Sequence, residues 1–307
     1  MLRQTMQGRG SHLYGMPPTM TTDHLILIDS HGLGYQAHYA MGALQHGHQA
    51  TGCVFGFLSR ILDYGILFRT NRFIFCWDSL DSVRRQRYPW YKIKRRTDKT
   101  PEESQALNVL LTQLNILRAT ILPQIGFNNQ CGQKGLEADD IMAKICLDTL
   151  GNHTIVSGDE DMFQCLGKCV RIYNPKTRKY MTTAKFENTY GVPPSDWVKV
   201  KQLAGCTSDC IPGVPGVGNT TALKYLKGEL KESTKAYKAI KTNWDTVVKR
   251  NRGLVKLPHS HTAPVPIVAD KFSKKGFMAV CREYGLLSFM EGAQLARWQQ
   301  LFKMRCE

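Results

Sequence analysis

The residues of this chain best suited to chemistry are acids that follow apolar runs. His24-Leu-Ile-Leu-Ile-Asp29 ends in an acid, Arg72-Phe-Ile-Phe-Cys-Trp-Asp78 does the same, and His153-Thr-Ile-Val-Ser157 leads through Gly158 to Asp159 and Asp161. Each run reads as a buried parallel strand, and open parallel sheets bind ligands beyond the carboxyl ends of their strands. Glu137-Ala138-Asp139-Asp140 opens a helical pattern that can face the same edge. Glu137 and Asp140 lie three residues apart and share a helix face; Asp139 joins them only if the first turn is irregular. Any one of these acids alone reads as a cap or turn residue, so the inference rests on their recurrence at successive elements. Carboxylates brought together repel unless protons or cations intervene. Hard divalent ions with oxygen ligands, magnesium above all, answer that need. Two such ions about 3.5–4 Å apart suit phosphodiester hydrolysis.

A basic segment supplies the complementary charge. Arg84, Arg85, Arg87, Lys92, Lys94, Arg95, Arg96 and Lys99 stand against the single acid Asp98, with Tyr88, Trp90 and Tyr91 interleaved. Cations that track phosphates and aromatic faces that stack on bases suit a single strand. A lysine near the metals can stabilise charge on the scissile phosphate. Further on, Ile211-Pro-Gly213-Val-Pro-Gly216-Val-Gly218 runs into a helical stretch that carries Lys224. Glycines let backbone approach a ligand closely, and the helix start offers free N–H groups to a phosphate. The pattern reads as a duplex-gripping helix-hairpin-helix over about 195–228, with tight helix packing as the plainer alternative.

Composition agrees with a polyanionic partner. The 307 residues hold 41 Lys+Arg against 25 Asp+Glu, a formal net charge of +16, and each neutralised phosphate releases condensed counterions. Anionic membrane is the rival, but no apolar run reads as long enough to span a bilayer and no basic amphipathic anchor stands out. Cys53, Cys76, Cys146 and Cys281 lie in apolar or helical patterns and behave as small hydrophobes. With no signal peptide ahead of the first strand, a reducing cytoplasm, bacterial or phage-infected, is expected. The pairs Cys165/Cys169 and Cys206/Cys210 are spaced more widely than zinc knuckles, so no zinc site is expected from them.

Strands alternating with helices predict an α/β fold with a mostly parallel sheet flanked by helices. Helices are predicted over Thr51–Phe68, Pro101–Ala119 and Glu137–Leu150, and Val170-Arg-Ile-Tyr173 reads as a fourth strand. From about Thr183 the pattern is helical: Ser195–Ala204, Thr220–Leu226, Ser233–Thr242 and pieces of Lys274–Phe302, with Leu257–Ala269 as an irregular connection. The expected organisation is a disordered extension over 1–22, a catalytic α/β unit over 23–182 and a helical DNA-binding region over 183–307, the last packed against the unit before it.

Taken in order, these segments resemble the 5′ nuclease family: flap endonucleases, phage 5′→3′ exonucleases and the nuclease domain of bacterial DNA polymerase I. The likeness is carried by Ile28-Asp29; by Trp77-Asp78 with Arg84 and Tyr91-Lys92-x-x-Arg95; by Leu136-Glu-Ala-Asp-Asp140; by Ser157-Gly-Asp-Glu-Asp161; and by Gly205-x-x-Ser-Asp209-x-Ile-Pro-Gly213-Val-x-Gly216-Val-Gly218. It covers roughly residues 24–230. The resemblance implies a PIN-like fold, with a helical arch over 79–119 through which a 5′ strand passes. It implies two divalent sites, Asp29, Asp78, Glu137, Asp139 and Asp140 serving the first and Asp159, Asp161 and Asp209 the second. Lys92 would be the catalytic lysine, Arg84 and Arg95 would hold phosphates beside Tyr91, and Gly213, Gly216, Gly218 and Lys224 would grip DNA. Magnesium is the implied ion, with manganese able to substitute, and potassium is implied at the glycine hairpin.

In one place the chain departs from the family. Relatives read Gly-Asp-x-Ser-Asp-Asn where this chain has Gly205-Cys-Thr-Ser-Asp-Cys210. Cys206 replaces an expected carboxylate, and a thiol is a poor magnesium ligand that prefers softer metals, so weaker affinity at the second site, or a shift in which metal supports activity, is expected. The leading reading is a monomeric nuclease acting on 5′ flaps, nicks and recessed 5′ ends of DNA, with RNA primers and RNA–DNA hybrids as further substrates. Too little chain follows the hairpin for a polymerase, which leans toward a stand-alone phage-type enzyme. One alternative is a DNA-binding clamp whose catalysis the Cys206 change impairs. Another is an RNA-directed nuclease of the wider PIN type, against which the glycine hairpin argues.

Overall fold

The computed structural model describes residues 24–304; the extension expected over 1–22 lies outside them. Six strands form the main sheet: β1 (His24–Asp29), β2 (Phe73–Cys76), β3 (Gln130–Cys131), β4 (Asn152–Val156), β5 (Val170–Asn174) and β6 (Lys179–Met181), in the order β3-β2-β1-β4-β5-β6. All neighbours pair in parallel except β5 and β6, which run antiparallel at one edge. The expected mostly parallel sheet is borne out, with β3 and β6 added. Both are too short and too polar to show a period.

Alternation along the strands explains the layers. Ile26, Ile28, Phe73 and Phe75 face one apolar core, whereas Leu25, Leu27, Ile74 and Cys76 face the other. Successive side chains of a strand point to opposite faces, so strands that are apolar throughout bury both sides of the sheet. On the first face lie α1 (Ser30–Met41), α2 (Gly52–Phe68) and α3 (Pro101–Ile116). On the second lie α4 (Ala138–Asp148), α5 (Thr183–Tyr190) and α6 (Trp197–Ala204). Beyond these come α7 (Asn219–Leu226), α8 (Lys235–Thr242), α9 (Lys249–Val255), α10 (Lys274–Glu283) and α11 (Gly292–Phe302). Phe277, Trp298, Leu301 and Phe302 of the last two helices return to the first core, beside Phe57 and Phe73. Residues on both sides of position 182 therefore share both cores. Residues 257–273 hold no helix or strand, as expected of that connection.

Local chemistry sets the helix ends. Thr100 and Glu103 form a reciprocal capping box, and Pro101 takes the first turn, where its missing N–H costs nothing. Gln113 of α3 accepts hydrogen bonds from Cys53 and Val54 N–H, satisfying donors that the start of α2 leaves unpaired. Helical backbone continues past the expected end at Ala119, through a wide turn over Leu117–Ile121, to Ile125. The stretch Pro101–Ile125 is long and apolar enough to cross a membrane by length and composition, which corrects the expectation that no run reaches that length. Here its stripe of Leu110, Leu114, Leu117 and Ile121 packs into the first core. Among the described residues every cysteine is free.

The chain runs β1, β2, β3 to one side and then crosses to β4, β5, β6 on the other, so the strand order reverses between β1 and β4. That point is where open α/β sheets form a crevice at their carboxyl ends, and Asp29, Asp78, Asp159 and Asp161 all leave the strands there. Across the second core, α6 and α7 flank a two-strand turn that pairs Gly205–Cys206 with Ile211–Pro212. Val214 and Val217 anchor the following loop in the second core, while Gly216 and Gly218 are exposed. A Cβ on Gly213 would lie 2.2 Å from the Ala204 carbonyl oxygen, so packing alone demands glycine there. Gly213→Ala should cost about 1–3 kcal/mol, as overpacking does; an unchanged thermal midpoint would show that the turn can yield.

Candidate metal centre

Asp29 closes β1 and also caps α1, its Oδ1 accepting from Gly32 N at 2.8 Å. A Cβ on Gly32 would collide with the Asp29 carboxylate, so glycine there keeps the acid in place. Asp78 accepts from Ala138 N at 2.8 Å, tying the end of β2 to the start of α4. Its own N–H donates to His31 Nδ1 at 3.2 Å. That nitrogen then carries no proton, so the 3.5 Å approach of His31 Nδ1 to Asp78 Oδ2 is not an ion pair. Burial, which lowers the His31 pKa, agrees with a neutral ring.

Asp29, Asp78, Asp139 and Asp159 lie within electrostatic reach of one another. Burial, then the Asp78 charge, then Asp159 push Asp29 up from 3.8 to about 7, against the Gly32 hydrogen bond and Lys92. Burial, followed by Asp159 and Asp29, holds Asp139 well above the ordinary carboxylate range. Both keep a partly open edge while protein encloses the rest of their surroundings.

A second group adjoins the first. Asp161, Cys206 and Asp209 each present a ligand atom, and these atoms lie within 4.8 Å of one another. Burial and then Asp159 raise Asp161 to about 6. Lys201 Nζ lies 3.0 Å from Asp161 Oδ1, a contact that lowers the carboxyl's pKa against burial and Asp159. Asp209 accepts from Arg95 at 2.6 Å.

Lys92 bridges the groups. Its ammonium lies 2.9 Å from Glu137 Oε2 and 3.8 Å from Asp209 Oδ2, and its backbone N–H donates to the Asp209 carbonyl at 2.9 Å. The residue sits at φ +53°, a left-handed conformation that costs a non-glycine residue energy and is held where the surroundings over-determine it. Burial opposes its charge, but Tyr91, Glu137 and Asp209 together raise its pKa, so it stays an ammonium.

Three expected roles need correction. Asp140 has no exposed surface, and its oxygens accept from Arg84 at 2.6 and 2.8 Å, Glu137 N at 3.2 Å and His259 N at 2.8 Å. An ionised carboxylate offers about four lone-pair sites, so none is left for a metal. Arg84, only 2% exposed, is spent on Asp140 and on the Leu254 and Lys256 carbonyls, and cannot hold a substrate phosphate. Tyr91, 3% exposed, donates its hydroxyl to Glu137 at 3.0 Å, which removes its ring from base stacking. Tyr88 and Trp90 keep partly exposed rings 5.4 Å apart. Arg95 remains exposed enough to meet a phosphate, as do Gly216, Gly218 and Lys224 at the hairpin.

His31 and Lys201 escaped the sequence reading. Lys201 did carry a signal: it stands four residues after the buried Trp197 and next to the buried Val200, inside the apolar stripe of α6. A lysine so placed needs a buried partner.

Arg84→Met should leave Asp140 charged and unpaired, costing about 3–5 kcal/mol and lowering the thermal midpoint by roughly ten degrees. An unchanged midpoint together with weakened DNA binding would restore the phosphate role. The raised carboxyls give a pH signature as well. The native state holds protons that the unfolded chain has already released between about pH 4 and 7, so these groups' contribution to stability is greatest at the acid end and falls as pH rises. For metal-free protein the thermal midpoint should therefore drop from pH 5 to 8 through these groups and recover with magnesium. A midpoint that rises across that window and ignores magnesium would contradict a carboxylate centre.

The family model described as 5′-3′ exonuclease, N-terminal resolvase-like domain, matches residues 24–191. DNA polymerase I of Deinococcus radiodurans is 31% identical over 216 residues, 69% of this chain and 21% of the polymerase. The thermostable DNA polymerase I of Thermus filiformis is 30% identical over 206 residues, 66% of this chain and 23% of the polymerase. The chain thus spans about a fifth of the length of these relatives. Among solved structures, a T5 5′-exonuclease with bound zinc aligns at a TM-score of 0.65 and 20% identity, covering 76% of this chain and 90% of that one. The catalytic core of Rad2 in complex with DNA substrate aligns at 0.53 and 13% identity, covering 94% and 93%. At those identities the structural likeness shows a common PIN-like α/β fold. Because the family model takes in more than half of its residues, the chain belongs to the 5′ nuclease family.

Proposed function

We propose that this chain is a magnesium-dependent, structure-specific nuclease that hydrolyses DNA phosphodiesters at 5′ ends and 5′ flaps. The observation that carries the reading is the gathering of Asp29, Asp78, Asp139 and Asp159 from separate elements into one charged crevice with Lys92 beside it. The oxygen donors of the first group fit a hard divalent ion. An ion held by Asp29, Asp78 and Asp139 supplies Lewis acidity toward the scissile phosphate. Manganese, another oxygen-seeking ion, substitutes there. The Asp159, Asp161 and Asp209 group forms a second divalent site, but the neighbouring Cys206 thiol departs from the all-oxygen set that magnesium prefers.

The residues of the chain do the rest. Lys92, fixed by its backbone bond to Asp209, holds an ammonium at the crevice, where it can meet negative charge on the reacting phosphate. Arg95 exchanges its bond to Asp209 for a neighbouring phosphate. The arch that admits a single strand is drawn from the segment 79–119, ahead of the half of α3 whose Leu110 and Leu114 pack into the first core. Gly216 and Gly218 bring open backbone to the duplex while Lys224 meets its phosphates, and the loop carbonyls hold potassium. The net +16 charge supports the polyanion. Flaps, nicks and recessed 5′ ends are the expected DNA partners, RNA–DNA hybrids further ones, and the chain acts as a monomer in the cytoplasm of a bacterium or a phage-infected cell.

Cys206 among the second group favours one other reading, a DNA-binding clamp with impaired catalysis. A 5′-flap duplex incubated with protein and magnesium separates them, since a clamp shifts the DNA without cutting it. Asp29→Asn and Asp139→Asn should abolish cleavage with binding retained. Lys92→Ala should lower kcat by about 10²–10³-fold, the usual effect of removing one group that stabilises transition-state charge.

A further inference from the structure

The donor set at the second site is mixed. Asp161, Cys206 and Asp209 place two carboxylates and one thiol within 4.8 Å of one another. Cys206 is held there by its pairing with Ile211, and Asp209 by Arg95. The Cys206 sulfur is partly open to solvent and lies 3.1 Å from the Ser208 hydroxyl. Positive charge is already drawn to this cluster, since the buried Asp161 Oδ1 faces an ammonium. Lys201 Nζ, 3.0 Å away, stands where positive charge is called for.

Magnesium demands six oxygen ligands and gains little from sulfur. Zinc accepts sulfur and carboxylate together, at about 2.3 and 2.0–2.2 Å, and often takes three protein ligands with a fourth position open. Tetrahedral ligands at those lengths lie roughly 3.5 Å from one another, so small side-chain rotations would close the three groups around such an ion.

We propose that Asp161, Cys206 and Asp209 form a site selective for a thiophilic divalent cation of the zinc class, which binds there in preference to magnesium. Binding releases the thiol proton to solvent and makes the Cys206 thiolate a ligand, and the Asp161 carboxylate exchanges the Lys201 ammonium for the metal. The proposal rests on reading this crevice as a metal centre and adds the identity of the ion at one of its two sites.

Cadmium chloride titrated into the metal-free full chain is the probe, followed by the ultraviolet sulfur-to-cadmium charge-transfer band. The band should grow with cadmium and persist in a large molar excess of magnesium. In Cys206→Ser its amplitude should fall by one equivalent, whereas Cys210→Ser should keep it. Asp161→Asn, which leaves every thiol in place, should weaken cadmium binding; this arm decides the matter if Cys206→Ser fails to fold. Equal amplitude in wild type and folded Cys206→Ser, or displacement of the band by magnesium, overturns the proposal. Flap cutting is scored separately with magnesium: cutting without the band removes only the ion assignment, and the band without cutting removes only the nuclease reading.

Discussion

Repulsion among carboxylates at one sheet edge is the constraint on which the rest of this structure turns. Asp29, Asp78, Asp139 and Asp159 meet where the strand order reverses, and their mutual charge together with burial drives Asp29 and Asp139 above their ordinary range. Such an arrangement persists only if protons or cations answer it. Lys92 does so in part for Asp29 and Asp139, while Arg95 and Lys201 answer the neighbouring Asp209 and Asp161. A positively charged chain carrying an acidic crevice is therefore coherent: its outer charge meets a polyanion, and its inner acids are reserved for cations.

The Arg84–Asp140 pair shows how the same motif can hold residues of unlike purpose. Glu137, Asp139 and Asp140 are nearly consecutive, yet only the first two reach the crevice. The third turns inward, where a guanidinium and two backbone N–H groups saturate it. A buried pair of this kind is costly to break and adds little net stability over an apolar substitute. What it does here is join the basic segment, through Arg84, to α4 and to the end of α9. Lys92 and Arg95 extend from that anchored segment over the acids.

Cys206 stands where the family resemblance implies a carboxylate, and its neighbours make the difference chemical rather than cosmetic. Without the adjacent acids it would be one more half-buried thiol. Set between Asp161 and Asp209, it turns an oxygen site into a mixed one, and donor softness is the property by which protein sites discriminate among divalent ions.

Much of this was legible in the residues themselves. Continuous apolar runs closed by acids marked β1, β2 and β4 and the acids at their ends, because strands buried on both faces can carry no alternation. The mostly parallel sheet followed from strands alternating with helices, and the family from motifs in order. Tertiary structure decided the rest. Helix spacing favoured Asp140 over Asp139 as the companion of Glu137, and only the direction of the α4 N-terminus makes Asp140 an internal ion pair and Asp139 the crevice acid. Tyr91 resembles its neighbours Tyr88 and Trp90 in sequence, but packing buries its ring beside Ile211 and Leu254 and turns its hydroxyl to Glu137. The strands β3 and β6 are too short to show a period, and α1, whose first turn opens on Asp29, was hidden behind the acid's other role. Periodicity and charge act along the chain and can be read there; which of two neighbouring side chains meets a partner dozens of residues away depends on contacts that exist only once the chain has folded.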